Sequence, residues 1–126
     1  MKVEISDGEL LDKLSILKIK EKFIVDESKL KNVDNEINAL SPLCTNLLYG
    51  LEISDLYQKL ILVNTKLWEI EDQLRIKEKS KEFDDEFISL ARSVYYTNDE
   101  RASIKKEINK ISGSFLTEEK SYQDYK

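Results

Sequence analysis

The chain has 126 residues, 36% of them charged and 40% hydrophobic, with three Gly and one Pro, the composition of a single all-α domain of long amphipathic helices. A net charge of −5 argues against nucleic-acid or membrane partners, and neither a bilayer-spanning apolar run nor a signal-peptide core is present, so a cytoplasmic protein is expected. The lack of histidine removes Ser-His and Cys-His catalysis and the usual zinc and haem ligand sets, and lone Cys44 cannot close an internal disulfide.

The first helix opens at Ser6-Asp7-Gly8-Glu9, a capping-box pattern with Ile5 placed as a hydrophobic staple. Its apolar stripe is Leu10, Leu14, Leu17, Ile24, Leu30, Val33, Ile37 and Leu40, which predicts a helix over about 7–40. The step from Ile24 to Leu30 breaks the phase and marks Asp26-Glu27-Ser28 as the place for a kink or break. Pro42 is expected to end the helix, because the residue before a proline is pushed out of the helical region. Residues 41–52 then form a connection that is apolar for a loop, with Leu43, Leu47, Leu48, Tyr49 and Leu51, and is expected to pack across one end of the bundle.

Leu56, Leu60, Val63, Leu67, Ile70 and Leu74 follow at steps of four and three, predicting a second helix over about 53–79. A polar turn at Lys79-Ser80-Lys81-Glu82 leads to a third helix over about 83–112, with Phe83, Phe87, Leu90, Val94, Ile104, Ile108 and Ile111 on its seam. The heptad phase passes through Thr97 and Arg101 without slipping, which favours a continuous helix, and Gly113 supplies a left-handed stop. The arm 113–126 carries Phe115, Leu116, Tyr122 and Tyr125 and is either a clamp, onto this bundle or a partner subunit, or disordered. The expected architecture is one domain, 1–126, of three long, mainly antiparallel helices in a bundle or coiled coil.

Of the twenty basic residues only Arg75, Arg92 and Arg101 are arginines, and Arg101 holds a seam position, where a guanidinium must be paired. If the second and third helices turn near residue 80, Arg92 faces Glu69 with Asp72 one turn along, and Arg75 faces Asp85 and Glu86. The inferred carboxylate cluster is Glu21, Glu69, Glu71 and Asp72 around Arg92, flanked by Trp68 and Tyr95, with Asn64, Asn98 and Arg101 as a second layer near Asp34 or Glu36. Such charges read as interhelical salt bridges, as a pocket for a phosphate or carboxylate, or as a magnesium site on Glu69 and Asp72. No cofactor other than that magnesium option is implied. Phosphate-binding glycine loops, CxxC and nucleophile elbows are absent.

The strings Glu4–Leu17, Leu67–Arg75 and Phe87–Arg101, with the ending Gly113–Tyr122, resemble an uncharacterised family of short helical proteins found in bacteria and phages. That resemblance implies an all-helical fold and brings no established activity or functional residues. The leading expectation is a non-enzymatic scaffold or interaction module. Its seam-adjacent aromatics Tyr57, Trp68, Tyr95 and Tyr96 point to self-association, with a dimer favoured. The competing one is a small bundle that binds, or acts on, an anionic small molecule.

Overall fold

The phase break after Ile24 is a true helix end. In the computed structural model, which describes residues 1–125, the chain forms four helices: α1 (Asp7–Phe23), α2 (Glu27–Tyr49), α3 (Leu51–Ser80) and α4 (Asp85–Ser112). Ile24 turns to an extended conformation while its N–H still bonds the Lys20 carbonyl. Asp26 then starts α2, its Oδ1 accepting from the backbone N–H groups of Ser28 (3.0 Å) and Lys29 (3.1 Å). The aspartate satisfies amides that have no partner at a new helix start, so the expected single helix over 7–40 is instead a helical hairpin.

Pro42 does not stop α2, which runs through it to Tyr49. The proline and the Asn38 carbonyl it leaves without an amide partner are both in exposed residues, so water can serve that carbonyl. Ile37 and Cys44, on either side, are buried in the core and anchor the helix across the site. The expected packed connection over 41–52 is therefore mostly helix, cornered by Gly50 alone, and Leu43, Tyr49 and Leu51 face solvent. From that stretch Cys44 enters the core, and Leu47 and Leu48 lean on it.

At the far end, Lys81 takes a left-handed conformation (φ 56°) that closes α3. Asp84 caps α4 by accepting from the Phe87 N–H at 2.9 Å and pairs with Lys77 at 3.0 Å. Phe83 lies just before the helix, edge-on to Phe87. As expected, α4 continues through Thr97, which is buried, and ends at Gly113 (φ 70°), whose N–H bonds Asn109.

The breaks set chain direction. Asp12 meets Asn64 and Phe23 meets Trp68, so α1 and α3 run parallel. Gly8 meets Asn109 and Asp12 meets Arg101, so α1 and α4 run antiparallel. The helices alternate up and down, and α1 packs against the other three. The core joins Leu11, Leu14 and Leu17 to Val33, Ile37, Cys44, Tyr57, Leu60 and Ile108. α1 ends opposite Trp68. Beyond it the α3–α4 hairpin projects as an arm in which no residue from 71 to 96 is buried. No helix among the described residues is long and apolar enough to cross a membrane.

Gly8 marks the closest approach of α1 to α4: a Cβ there would stand 2.5 Å from the Lys105 carbonyl oxygen and 3.0 Å from Asn109 Oδ1. Both neighbours are held, one being backbone and the other accepting the Gly8 N–H at 2.7 Å. Gly8→Ala should therefore push the helices apart and lower the unfolding free energy by about 2 kcal/mol in urea denaturation.

Candidate functional site

Asp12 is wholly buried, on the α1 face that also carries Gly8, Leu11, Ser15 and Ile19. Its carboxylate takes a fork from Arg101: Nε donates to Oδ1 at 2.9 Å and Nη2 to Oδ2 at 2.5 Å. Asn64 Nδ2 donates to the same Oδ1 and to Ser15 Oγ, both at 2.8 Å, and Ser15 Oγ donates to the Asp12 carbonyl at 2.6 Å. Among the described residues, no buried side-chain nitrogen or oxygen lacks a partner. A buried carboxylate is tolerated only when neutralised and hydrogen-bonded in this way. Hydrogen bonding to Asp12 holds the Arg101 guanidinium above its ordinary pKa against the opposing effect of burial.

Lys105, one turn on, extends the network. Its ammonium bonds Glu9 Oε2 at 2.5 Å and lies 3.8 Å from Asp12 and 3.6 Å from Glu118. Burial pushes the Glu9 carboxyl up, but the bond to Lys105 and its charge outweigh this, and Glu9 titrates below the usual glutamate range. Glu9 is thus drawn away from the reciprocal half of the capping box, while Ser6 Oγ keeps its own half by accepting from the Glu9 N–H. The C-terminal arm closes over this region. Ser6 Oγ donates to Glu118 at 3.3 Å, Lys106 pairs with Glu119 at 3.0 Å, and Tyr125 donates to Asp99 while packing on Tyr95 and Tyr96. The bond to Asp99 pushes the Tyr125 hydroxyl up to about 12. The described part of the arm thus lies on the bundle through polar contacts and Tyr125, while Phe115 and Tyr122, two of the side chains that suggested a clamp, are 91% and 79% exposed; Lys126 lies outside the described residues.

On the other side of Arg101, α1, α3 and α4 enclose a groove of about 520 Å³. It brings together Asn64, Trp68, Glu71, Asp72, Asn98 and Arg101, six of the residues expected to cluster, and adds Arg75. Trp68 stacks on Phe23, centroids 5.7 Å apart and planes 16° from parallel. The other expected members are elsewhere. Arg92 is exposed beside Tyr95 and Tyr96, whose hydroxyls hold its guanidinium above the ordinary value, and it does not meet Glu69. It sits two positions from seam residue Leu90, which on a 3.6-residue turn points it outward. Tyr95 lines a second cavity of about 800 Å³ beneath the C-terminal arm. Glu21 and Glu69 are exposed outside the groove, as are Asp34 and Glu36 on α2. Glu86 pairs with Lys77, as Asp84 does, and among the described residues no ion pair joins Arg75 to Asp85 or Glu86. Glu69 and Asp72 belong to no group of three or more metal-binding side chains among the described residues.

The partner that sequence reasoning missed is Asp12. The available signal was an acid on a buried stripe of small residues, Gly8-x-x-x-Asp12-x-x-Ser15, facing a seam arginine that needed a carboxylate.

Compared with known families, residues 1–125 match the model of one described as a family of unknown function, DUF6165. The chain belongs to that family. No curated protein and no solved structure matches it at a significant level. The family brings no activity with it, so the chemistry rests on the geometry: a saturated ionic clamp behind, and an open polar groove in front.

Asp12→Ala would leave Arg101, Asn64 and Ser15 facing a void. Urea denaturation should register a loss of about 3–5 kcal/mol, whereas Glu69→Ala on the exposed surface should stay within about 0.5 kcal/mol. Because the folded-state pKa of Glu9 is depressed, its contribution is complete above the unfolded glutamate value near ~4.3 and is lost as pH falls through the folded value. Glu9→Gln should accordingly flatten the acid limb of a stability-against-pH profile followed by circular dichroism, with little change of slope above pH ~5.

Proposed function

We propose that this protein is a non-enzymatic helical interaction module that pairs with a second copy through the distal α3–α4 arm. The observation that carries this reading is the incomplete seam. Leu74, Phe87, Leu90 and Val94 hold core positions yet are only half-buried, and Ile76, Phe83 and Ile88 are 65%, 54% and 53% exposed. Two helices cannot enclose a seam of this kind. A second hairpin laid against the first would complete a four-helix arrangement and cover the half-buried seam of Leu74, Phe87, Leu90 and Val94, with Phe83 and Ile88 at its edge. A role without catalysis is further supported by the interior chemistry: the buried acid is matched to bases of the same chain, and burial pushes the Cys44 thiol up, away from the reactive thiolate.

Sedimentation velocity tests the proposal. The wild-type chain should sediment as a dimer at tens of micromolar, and Phe83→Glu/Ile88→Glu should sediment as a monomer with an unchanged helical spectrum, since both positions are exposed. A wild-type chain that stays monomeric to about 200 μM, a concentration at which even a weak micromolar dimer forms, overturns it.

A further inference from the structure

The groove between α1, α3 and α4 has walls that are held from behind. Arg101 is fixed by its fork on Asp12. Asn64 commits its Nδ2 to Asp12 and Ser15, which leaves its Oδ1 as an acceptor where the residue lines the groove. Trp68 is steadied by the Phe23 ring. Polar and aromatic groups fixed in this way need little further ordering when a ligand arrives. Along α3, Asn64, Trp68, Asp72 and Arg75 fall on one face over a length of about 16 Å. Arg75 is exposed and makes no ion pair among the described residues, so its five donors are available.

We propose that this groove binds a nucleoside monophosphate. The Trp68 indole supplies a stacking surface for a flat heterocycle. The Asn98 amide and Asn64 Oδ1, on facing helices, present donor and acceptor atoms to the ring edge, the amide chemistry that pairs with nucleobases. Arg75, two turns along α3 from Trp68, meets the phosphate with charge-assisted bonds. Glu71 and Asp72, between them, accept hydrogen bonds from ribose hydroxyls. Inorganic phosphate lacks the ring and the ribose hydroxyls, so Arg75 alone would have to hold it against the charge of these two carboxylates. A volume of about 520 Å³ suits a ligand of this size. The site belongs to one chain and does not depend on the pairing of arms.

Trp68 is the only tryptophan, so its emission reads the groove directly. Titrating the full chain with AMP should change that emission saturably, with a Kd below about 1 mM, and calorimetry should give the same constant. Arg75→Gln should weaken binding at least about tenfold without moving the melting temperature, because the loss is of a bond to the ligand and not to the fold. Inorganic phosphate over the same range should leave the emission unchanged. The proposal is overturned by the absence of a saturable response to AMP or GMP up to about 5 mM, by a response as strong in Arg75→Gln, or by one that inorganic phosphate reproduces.

Discussion

The fold depends on one buried carboxylate. Asp12 sits where α1 crosses α3 and α4, and its two oxygens take three strong hydrogen bonds from those helices. Taking a carboxylate and a guanidinium out of water costs several kcal/mol per ion, and that cost is recovered only while both are fully paired. A slip of α1 by one turn would take Asp12 out of this fork and leave Arg101 without its carboxylate. The pair therefore sets register where leucine and isoleucine contacts alone would tolerate several alignments. Gly8 adds a steric condition at the same crossing, and Lys105 ties Glu9 and Glu118 to it.

This crossing divides the molecule into two unequal parts. The body holds every buried residue, the ionic clamp and the C-terminal arm folded back over α4. The projecting hairpin is held by half-covered apolar contacts and by Lys77 at its tip, surrounded by Asp84, Glu86 and Glu82. Exposed ion pairs of that kind contribute little, so local opening of the hairpin requires less free energy than opening of the core around Asp12. Its unfilled seam is also where a second helical surface gains most by binding.

The groove lies at the boundary between these parts, where α1 ends and Phe23 turns onto Trp68. Its polar atoms are the outward side of residues whose inward side builds the clamp. Arg101 serves Asp12 behind and lines the groove in front, and Asn64 does the same. Rigidity needed for the fold is thereby lent to the surface that faces a ligand.

Much of this was legible in the residues. Spacing at three and four gave the helices, Ser6 and Gly113 their outer limits, the phase break after Ile24 its position, and the hairpin register the meeting of Asn64, Trp68, Asn98 and Arg101. Those are local properties, decided by side-chain direction within a turn or by a short connection. Tertiary packing decided the rest. Buried Ile37 and Cys44 carry α2 through Pro42, against the local preference of proline. The break at residues 24–26 reverses the chain, so α1 runs parallel to α3 and brings Asp12, not Asp34 or Glu36, to the seam arginine. An acid on a helix carries no label for its partner; the direction of the neighbouring chain decides which acid arrives, and that direction exists only once the helices have packed.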